Sequence, residues 1–441
     1  MITSHKLFAL ASAGALLVGG GTALIACEGP EGPPGATVYV EAGATQGAPG
    51  PGGPVGPSGL AAVDGGVLTA SCMLPCHGFK GVVEQWKTST HYFGAIANTE
   101  EVPTWTGAGP CGSCHSGDGL EQRLAGNVGV AAGFSAPPGL ASGQINYVKG
   151  ATTGEITYAG QSKVAIISCI TCHDISSVND PHVTGASYTA GSFKMRAKSG
   201  PNDQMLLEKS SDAGVVDGTP AGKWGVSNTC IACHKSRKDV TNYILPGASV
   251  TLTSVYWGPH EAPQADIFSG KGGYHFAGKT FKNSTHQTVS GCSSCHMVKV
   301  AANGNIPDHS MRPTVATCAA AGCHANVTSF DVSGGQGIVK GQLAELEGLL
   351  AGMNLLTRSA VAPYVPMTAG ELADKHFELD KTMPGNTITD LQAGALYNYL
   401  LIARGSGWGV HNPTYTKQLL WDSISQLKPG NLPPAGAPTR P

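Results

Sequence analysis

Cys292-Ser-Ser-Cys295-His296 is one of six stretches in which a cysteine is followed directly by histidine and preceded closely by a second cysteine. Three others share its two-residue spacing, and two are longer by one or two residues. They are Cys111–His115, Cys169–His173 and Cys230–His234, and the longer Cys72–His77 and Cys318–His324. Together the six use twelve of the thirteen cysteines and leave Cys27. A pattern this regular indicates one repeated chemical site.

C-x-x-C-H is the attachment site of c-type haem, in which two thiols bond to the porphyrin and the histidine binds the iron. The extra residues in the longer stretches leave the Cys-His step intact. We therefore predict six covalent haems. The attaching cysteines are Cys72, Cys76, Cys111, Cys114, Cys169, Cys172, Cys230, Cys233, Cys292, Cys295, Cys318 and Cys323, and the proximal ligands are His77, His115, His173, His234, His296 and His324. Four-thiolate zinc sites or redox dithiols are the alternatives, but neither needs a histidine after every second cysteine.

The N-terminus has the pattern of an export signal. Residues 1–26 carry Lys6 near the start, then an apolar, glycine-containing run too short for a convincing membrane span. The run ends in Leu24-Ile25-Ala26-Cys27, which resembles a bacterial lipobox. This resemblance implies cleavage before Cys27 and lipidation of its thiol, and Glu28 after it favours the outer membrane, on either face. An ordinary signal peptide with a spare thiol is the alternative.

Residues 27–66 form a segment rich in glycine and proline. Gly-X-Y triplets run over 29–35 and 47–59 and are interrupted at 37–46, so the stretch is collagen-like. We expect an extended spacer of polyproline-II type between membrane and haem domain. A trimerising stalk is the alternative.

Composition limits the classes of partner. Charged residues make up 13 % of the chain, about half the usual share. The formal net charge is −2, and six haems with ionised propionates would carry the exported protein to about −9 when oxidised. A nucleic-acid partner is therefore not expected.

The second axial ligands must come from the histidines outside the six motifs. Eight of these remain after export, and six fit their local context best. The distal candidates are His91, His182, His260, His286, His309 and His411. No histidine lies between His115 and His173, so the haem of His115 must take its ligand from elsewhere in the chain.

The C-terminal part predicts helices. Leucines and methionine recur at helical spacing from Leu343 to Leu356, and Thr387–Asp390 resembles the start of a helix running from Leu391 to Ala403. A third helix should begin after His411, with Asn412 as N-cap and Pro413 at the first position. This would hold His411 at a fixed helix entrance. The alternative is that the helices only pack on the haem domain.

Residues 255–330 and 385–427 resemble the large multihaem cytochromes related to ammonia-forming cytochrome c nitrite reductase and the octahaem reductases. The resemblance rests on Gly291–Met297, the trailing His309, the last Cys-His motif and Gly409-Val410-His411-Asn412-Pro413. It implies that His411 is a haem ligand and that the haems pack in close pairs as a wire. The chain departs from the pattern: it has no C-x-x-C-K site, its haem number differs, and the collagen-like stretch is additional.

The sequence therefore predicts a mainly α chain with irregular coil, a multihaem cytochrome c wrapped around stacked haems, with a helical C-terminal tail. The segments are a signal peptide at 1–26, a lipidated spacer at 27–66, a hexahaem domain at 67–335, and a helical region at 336–441 that supplies a distal ligand. We favour an electron carrier, anchored by lipid, that serves a redox partner protein or an external acceptor. The alternatives are a reductase of nitrite, hydroxylamine or a sulfur oxyanion at one five-coordinate haem, and a homo-oligomer or filament. In the reductase, Tyr274, His275 or His376 would donate protons.

Overall fold

A computed structural model describes thirteen stretches of the chain. They are residues 81–92, 112–115, 119–124, 167–174, 194–197, 200, 224–236, 240–254, 256–289, 291–300, 306–319, 322–356 and 385–441. All of them belong to the unit Gly66–Pro441. Cys27, Cys72, Cys76, His77, Cys111, His182 and His376 lie outside the described residues.

Short helices carry the first part of the described chain, up to residue 318. In chain order they are α1 Val82–Lys87, α2 Gly112–His115, α3 Gly119–Leu124, α4 Cys169–Cys172, α5 Asn228–Cys233, α6 Val240–Tyr243, α7 Gln264–Ser269, α8 His286–Val289, α9 Cys292–His296 and α10 Val315–Cys318. Four of these (α2, α4, α5 and α9) are built from Cys-His motifs. Helices this short are not stable alone in water, so their packing must hold them.

Sheet structure among the described residues is limited to three antiparallel two-residue ladders. β1 (His173–Asp174) pairs with β2 (Lys194–Met195), β3 (Val250–Thr251) with β6 (Thr387–Ile388), and β4 (Lys299–Val300) with β5 (Ile306–Pro307). The β3–β6 ladder joins the middle of the chain to the C-terminal helices. The expectation of a mainly helical chain with irregular coil is confirmed for the described residues.

Three long helices form the C-terminal part: α11 Gly335–Gly352, α12 Asp390–Gly405 and α13 Pro413–Leu427. Each starts at a side-chain cap. Asp331 Oδ1 accepts from the first N–H groups of α11, Thr389 Oγ1 accepts from Gln392 N at 3.2 Å, and Asn412 Oδ1 accepts from Tyr415 N at 3.3 Å. These contacts satisfy N–H groups that have no partner inside the helix.

Two helix boundaries differ from the sequence prediction. α11 ends at Gly352, so Leu356 lies beyond the helix although its side chain is still buried in the core. Thr387 and Ile388 belong to β6, and α12 begins only after Thr389. In both places a buried apolar side chain lies on non-helical backbone. The hydrophobic periodicity of the sequence does not distinguish such a residue from one inside the helix.

The main hydrophobic core joins the C-terminal helices to residues 240–281. Leu346, Leu400 and Leu419 come from α11, α12 and α13, and Trp257 and Phe276 come from the middle segment; all five are buried. The predicted boundary between residues 335 and 336 therefore does not separate two cores. α13 packs against both α11 and α12. Among the described helices, none has the length and apolar character needed to cross a bilayer.

Candidate haem centres

Three of the described Cys-His motifs, at Cys169, Cys230 and Cys292, have both cysteines in one helical turn. In α9 the turn also contains His296, and in α4 and α5 the histidine follows the last helical residue directly. Residues three apart in a helix lie on the same face. Each of these three motifs therefore presents both thiols to one side and places the histidine next to them. In the longer motif the helix ends at Cys318, so Cys323 and His324 lie on non-helical backbone.

Each of the five described motif histidines faces a second histidine from a distant part of the chain. The ring pairs, with centroid separation and interplanar angle, are His91–His234 at 5.8 Å and 88°, His115–His260 at 6.3 Å and 53°, His173–His309 at 6.4 Å and 31°, His286–His324 at 5.9 Å and 84°, and His296–His411 at 6.3 Å and 19°. In every pair the partner is one of the distal candidates that the sequence singles out.

The spacing of these pairs suits one metal ion between two imidazoles. Bonds of about 2 Å from the metal to each ring nitrogen place the two ring centroids roughly 6 Å apart. The observed range of 5.8–6.4 Å agrees with this. Stacked rings in direct contact are closer, as His275 and Phe281 are at 4.1 Å, while edge-to-face contacts such as Trp257–Tyr397 reach 6.2 Å. What distinguishes these five pairs is that both rings are histidines and one of them always belongs to a Cys-His motif. The described residues therefore fit a haem iron with a histidine on each side.

Hydrogen bonds fix the ring orientation of several of these histidines. The Nδ1 atoms of five of them point at oxygen acceptors 2.6–3.1 Å away. The acceptors are Gln264 Oε1 for His234, Glu261 O for His260, Val410 O for His286, Met311 O for His296 and Pro307 O for His309. An oxygen accepts, so Nδ1 carries the proton and Nε2 keeps its lone pair, which is the form that binds a metal.

Burial favours the neutral form of several of these histidines. It lowers the pKa of His91 to about 4, with a smaller contribution from nearby His234. It also lowers the pKa of His411 to about 4, with contributions from His296, His234 and His286. The pKa of His309 is lowered for the same reason, against the opposing effect of the Pro307 carbonyl. A neutral imidazole is required of a metal ligand.

The corner between α12 and α13, residues Arg404–Asn412, supplies groups to several ring pairs or to the side chains that contact them. It contributes His411 itself, the Val410 carbonyl that accepts from His286, and the Gly405 carbonyl that accepts from Gln264. Its backbone is unusual, with positive φ at Ser406, Trp408 and Gly409. A Cβ at Gly407 would lie 2.5 Å from His411 Nδ1, so only glycine leaves room for the ring there. Strained backbone of this kind persists where the surrounding structure holds it.

Two of the motifs lie side by side. Ser227, at the start of α5, and Ser293, in α9, have their hydroxyl oxygens 3.1 Å apart, and Ser227 Oγ also accepts from Ser293 N at 3.1 Å. The Cys230 and Cys292 thiols hydrogen-bond to each other, which raises the pKa of Cys230 and lowers that of Cys292. No disulfide joins any of the cysteines that the structure describes. Within the described residues, no group of three or more His, Cys, Asp or Glu is arranged to hold a metal ion.

Two residues considered as proton donors lie away from these pairs. Tyr274 is buried in the main core, and its backbone N donates to Asn398 Oδ1 at 2.7 Å. His275 stacks on Phe281 and lies 2.9 Å from the Tyr415 hydroxyl. Both residues therefore have packing roles in the described structure.

Sequence reasoning did not find the residues that support the ligands. Gln264 contacts His234, Arg404 donates to the carbonyls of Trp257 and Pro259 just before His260, and Gln85 Oε1 accepts from His309 N at 2.9 Å. These residues are polar and unremarkable in the chain. Their role depends on contacts between distant segments, for which a single sequence carries no signal.

The chain matches no protein-family model and no curated protein. Two solved structures are similar in backbone. The outer cell wall cytochrome OcwA shares 17 % identity over 79 % of this chain and 50 % of its own, with a TM-score of 0.41. The undecahaem cytochrome from the S-layer of Carboxydothermus ferrireducens shares 15 % identity over 77 % of this chain and 40 % of its own, with a TM-score of 0.36. The chain thus spans half or less of the length of both.

Proposed function

We propose that this protein is a multihaem c-type cytochrome that transfers electrons through six covalently bound haems, each with two histidine ligands. The observation that carries the proposal is the facing of every described motif histidine by a second histidine at 5.8–6.4 Å. A structural histidine needs one hydrogen-bond partner, and ordinary packing does not require each motif histidine to face a second histidine. A metal ion bound between the two rings requires this arrangement.

The ring pairs give the ligand assignment that we propose. Each motif histidine is the proximal ligand, and its partner is the distal one: His115 with His260, His173 with His309, His234 with His91, His296 with His411, and His324 with His286. His182 is the distal candidate that remains for His77. Five of the six haems would thus join segments far apart in sequence, and would close loops as a disulfide does.

Several of the ring pairs are neighbours. His234 and His286 contribute to the lowered pKa of His411, and His115 contributes to the lowered pKa of His234. The contact between Ser227 and Ser293 brings two motifs together directly. These contacts support a continuous series of haems from the pair at His115 to the pair at His324. A haem supplies a one-electron iron couple, while the protein sets the spacing and the surroundings.

Two histidines on each iron favour an electron carrier over a reductase. A reductase needs an open coordination position for its substrate. The described motif histidines all have facing partners, and Tyr274 and His275 are engaged elsewhere. Membership of the group related to nitrite reductase is a further proposal, resting on the Gly409–Pro413 segment and the trailing His309.

Spin state tests this proposal. We expect electron paramagnetic resonance (EPR) of the oxidised protein to show only low-spin ferric iron, and the reduced absorption spectrum to change little with CO. A reductase with one five-coordinate haem would instead show a high-spin signal equal to one iron per protein and bind one CO. That result would overturn the electron-carrier proposal in favour of the enzyme.

We also propose that the protein is an outer-membrane lipoprotein anchored through Cys27, with residues 27–66 as the spacer that lifts the haem domain off the membrane. Its partners would be a redox protein or an external electron acceptor, with self-association as an additional possibility. The lipobox at Leu24–Cys27 supports the anchor.

Cys27→Ala tests the anchor, because the variant has no thiol to acylate. We expect it to move from the membrane pellet to the soluble fraction with its haem content unchanged. Retention in the pellet of a processed variant would show that the lipobox reading is wrong.

A further inference from the structure

Gln264 links a proposed haem ligand to the end of a long helix. Its Oε1 lies 3.1 Å from Nδ1 of His234, and its Nε2 donates to the Gly405 carbonyl at 3.0 Å. A backbone bond from Ala265 N to the His234 carbonyl, at 2.9 Å, runs beside the side-chain contact. His234 is thus held at its ring and at its backbone by the first two residues of α7.

The two contacts of Gln264 determine which way its amide faces. The Gly405 carbonyl can only accept, so the NH₂ group must point to it, and the oxygen must point to His234. His234 therefore donates from Nδ1. Its other nitrogen keeps the lone pair, and the ring of His91 stands 5.8 Å away.

The helix end strengthens this link. Gly405 is the last residue of α12, and its carbonyl is among those that the helix leaves without an internal partner. Helix C-termini carry partial negative charge. An amide that donates to such a carbonyl is polarised, and its oxygen becomes a better acceptor.

We propose that Gln264 is a positioning residue that sets the reduction potential of the haem bound by His234 and His91. A stronger acceptor on Nδ1 makes the imidazole a more electron-rich ligand, which stabilises ferric iron and lowers the potential. The proposal rests on the proposed function, since it takes these two histidines as iron ligands. It extends that function by assigning the control of one potential to a named side chain and a helix end.

The same helix end supports a second ligand in a different way. Arg404 donates to the Trp257 and Pro259 carbonyls and lies 3.6 Å from the Glu261 carboxylate. The Glu261 carbonyl in turn accepts from His260 Nδ1 at 2.9 Å. Arg404 acts through backbone, whereas Gln264 contacts the imidazole itself. Gln264 is therefore the residue whose chemistry can be changed without moving a ligand segment.

The angle between the two histidine ring planes predicts the type of EPR signal that this haem should give. In low-spin ferric iron, near-parallel axial imidazoles split the d orbitals strongly and give a rhombic EPR signal, whereas near-perpendicular rings give a highly anisotropic one. The His91–His234 rings are at 88° and the His286–His324 rings at 84°, while the His296–His411 rings are at 19°. The haem controlled by Gln264 therefore belongs to the anisotropic class.

The test uses Gln264→Glu and Gln264→Leu in the full haem-loaded protein, with redox titration followed by EPR. We expect Gln264→Glu to lower the potential of one haem in the anisotropic class, because a carboxylate is a stronger acceptor. Gln264→Leu should raise the potential of that same haem, because it removes the acceptor. Methionine has a shape similar to glutamine but no amide, so Gln264→Met should also raise the potential of that haem. This variant replaces Gln264→Leu if the leucine variant does not fold.

Gln418 offers a matched control. It is buried and also bridges two backbone groups, accepting from Lys282 N and donating to the Pro441 carbonyl. Gln418→Leu should leave all potentials in place. The tuning role alone would be overturned if every low-spin signal is retained and the reduction potential does not shift. Equal shifts of the potential in the same direction for Gln264→Glu and Gln264→Leu would overturn it as well. Absence of the low-spin signals from the unsubstituted protein would instead overturn the proposed function.

Discussion

His411 is the distal candidate with the most constrained surroundings. Its ring lies 6.3 Å from that of His296 with the planes 19° apart, the absence of a side chain at Gly407 leaves room for it, and burial lowers its pKa to about 4. The ring is therefore neutral at ordinary pH and set beside a motif histidine. As a ligand it would be preorganised, because little movement is needed to bind iron.

Substitution of His411 should open one iron. We expect His411→Ala to convert one haem per protein from low to high spin, because the alanine offers no ligand and the corner holds no other imidazole in its place. The measurement is EPR integration, supported by CO binding to one iron in the reduced variant. An unchanged low-spin spectrum would remove His411 from the ligand set.

His275→Gln is the control for this experiment. His275 lies 2.9 Å from the Tyr415 hydroxyl and stacks on Phe281, and none of the five described motif histidines faces it. We expect the variant to keep every low-spin signal, with at most a small loss of stability.

At this scale the sequence predicts much of the candidate site but not its pairing. The Cys-His step predicts each proximal histidine, and local context selects six distal candidates from the eight remaining histidines. Which distal histidine meets which motif depends on long-range contacts, such as that between Gln85 and His309. Local context does not contain that information.

Helix α13 begins at a cap that also fastens neighbouring segments. The buried side chain of Asn412 accepts from Tyr415 N and from Ser284 N, and donates to the Phe268 carbonyl and to Asn283 Oδ1. Asn412 directly follows His411, and its partner Ser284 lies two residues before His286. The cap therefore contacts the segments that carry two of the proposed distal ligands. It serves the helix and the loop of the neighbouring ligand together.

Asn412→Ala should cost more than the loss of a helix cap. We expect a loss of about 2 kcal/mol or more in the free energy of unfolding, because buried backbone groups lose their partners. A high-spin fraction should appear as His411 loosens. Denaturant titration and EPR of the same samples measure the two effects.

Thr389→Ala makes the matched comparison at the start of α12. Thr389 is an exposed N-cap whose side chain, in the described contacts, bonds only to Gln392. It should cost about 1 kcal/mol and leave the haem spectrum unchanged. Equal spectra for both variants would show that the α13 cap does not support the ligands.

The start of a helix could be predicted from the sequence where a polar N-cap residue precedes it. Asn412-Pro413 marks the start of α13 by side-chain chemistry and a fixed φ. The start of α11 at Gly335 was not predicted, since its cap, Asp331, precedes a run of glycines that reads as a loop. The short motif helices could not be predicted from hydrophobic periodicity either, because one turn holds too few residues to show a repeat.

For the molecule as a whole, the number of haems is the quantity on which the other conclusions depend. The longer motif at Cys318–His324 has its histidine opposite His286, as the regular motifs have theirs. We therefore expect mass spectrometry of the acid-unfolded protein to show six haem additions. Cys323→Ala should reduce them to five. Four additions in the unsubstituted protein would mean that neither longer motif is loaded.

The corner at Arg404–Asn412 has a consequence for how the protein is made. All six Cys-His motifs precede it, so in the proposed cytochrome their thiols would emerge during synthesis, and could receive haem, before His411 is made. Until residues 404–412 are made, the irons would lack the ligands that this corner supplies or holds. A chain interrupted before this corner would therefore carry haem with an open, reactive iron position.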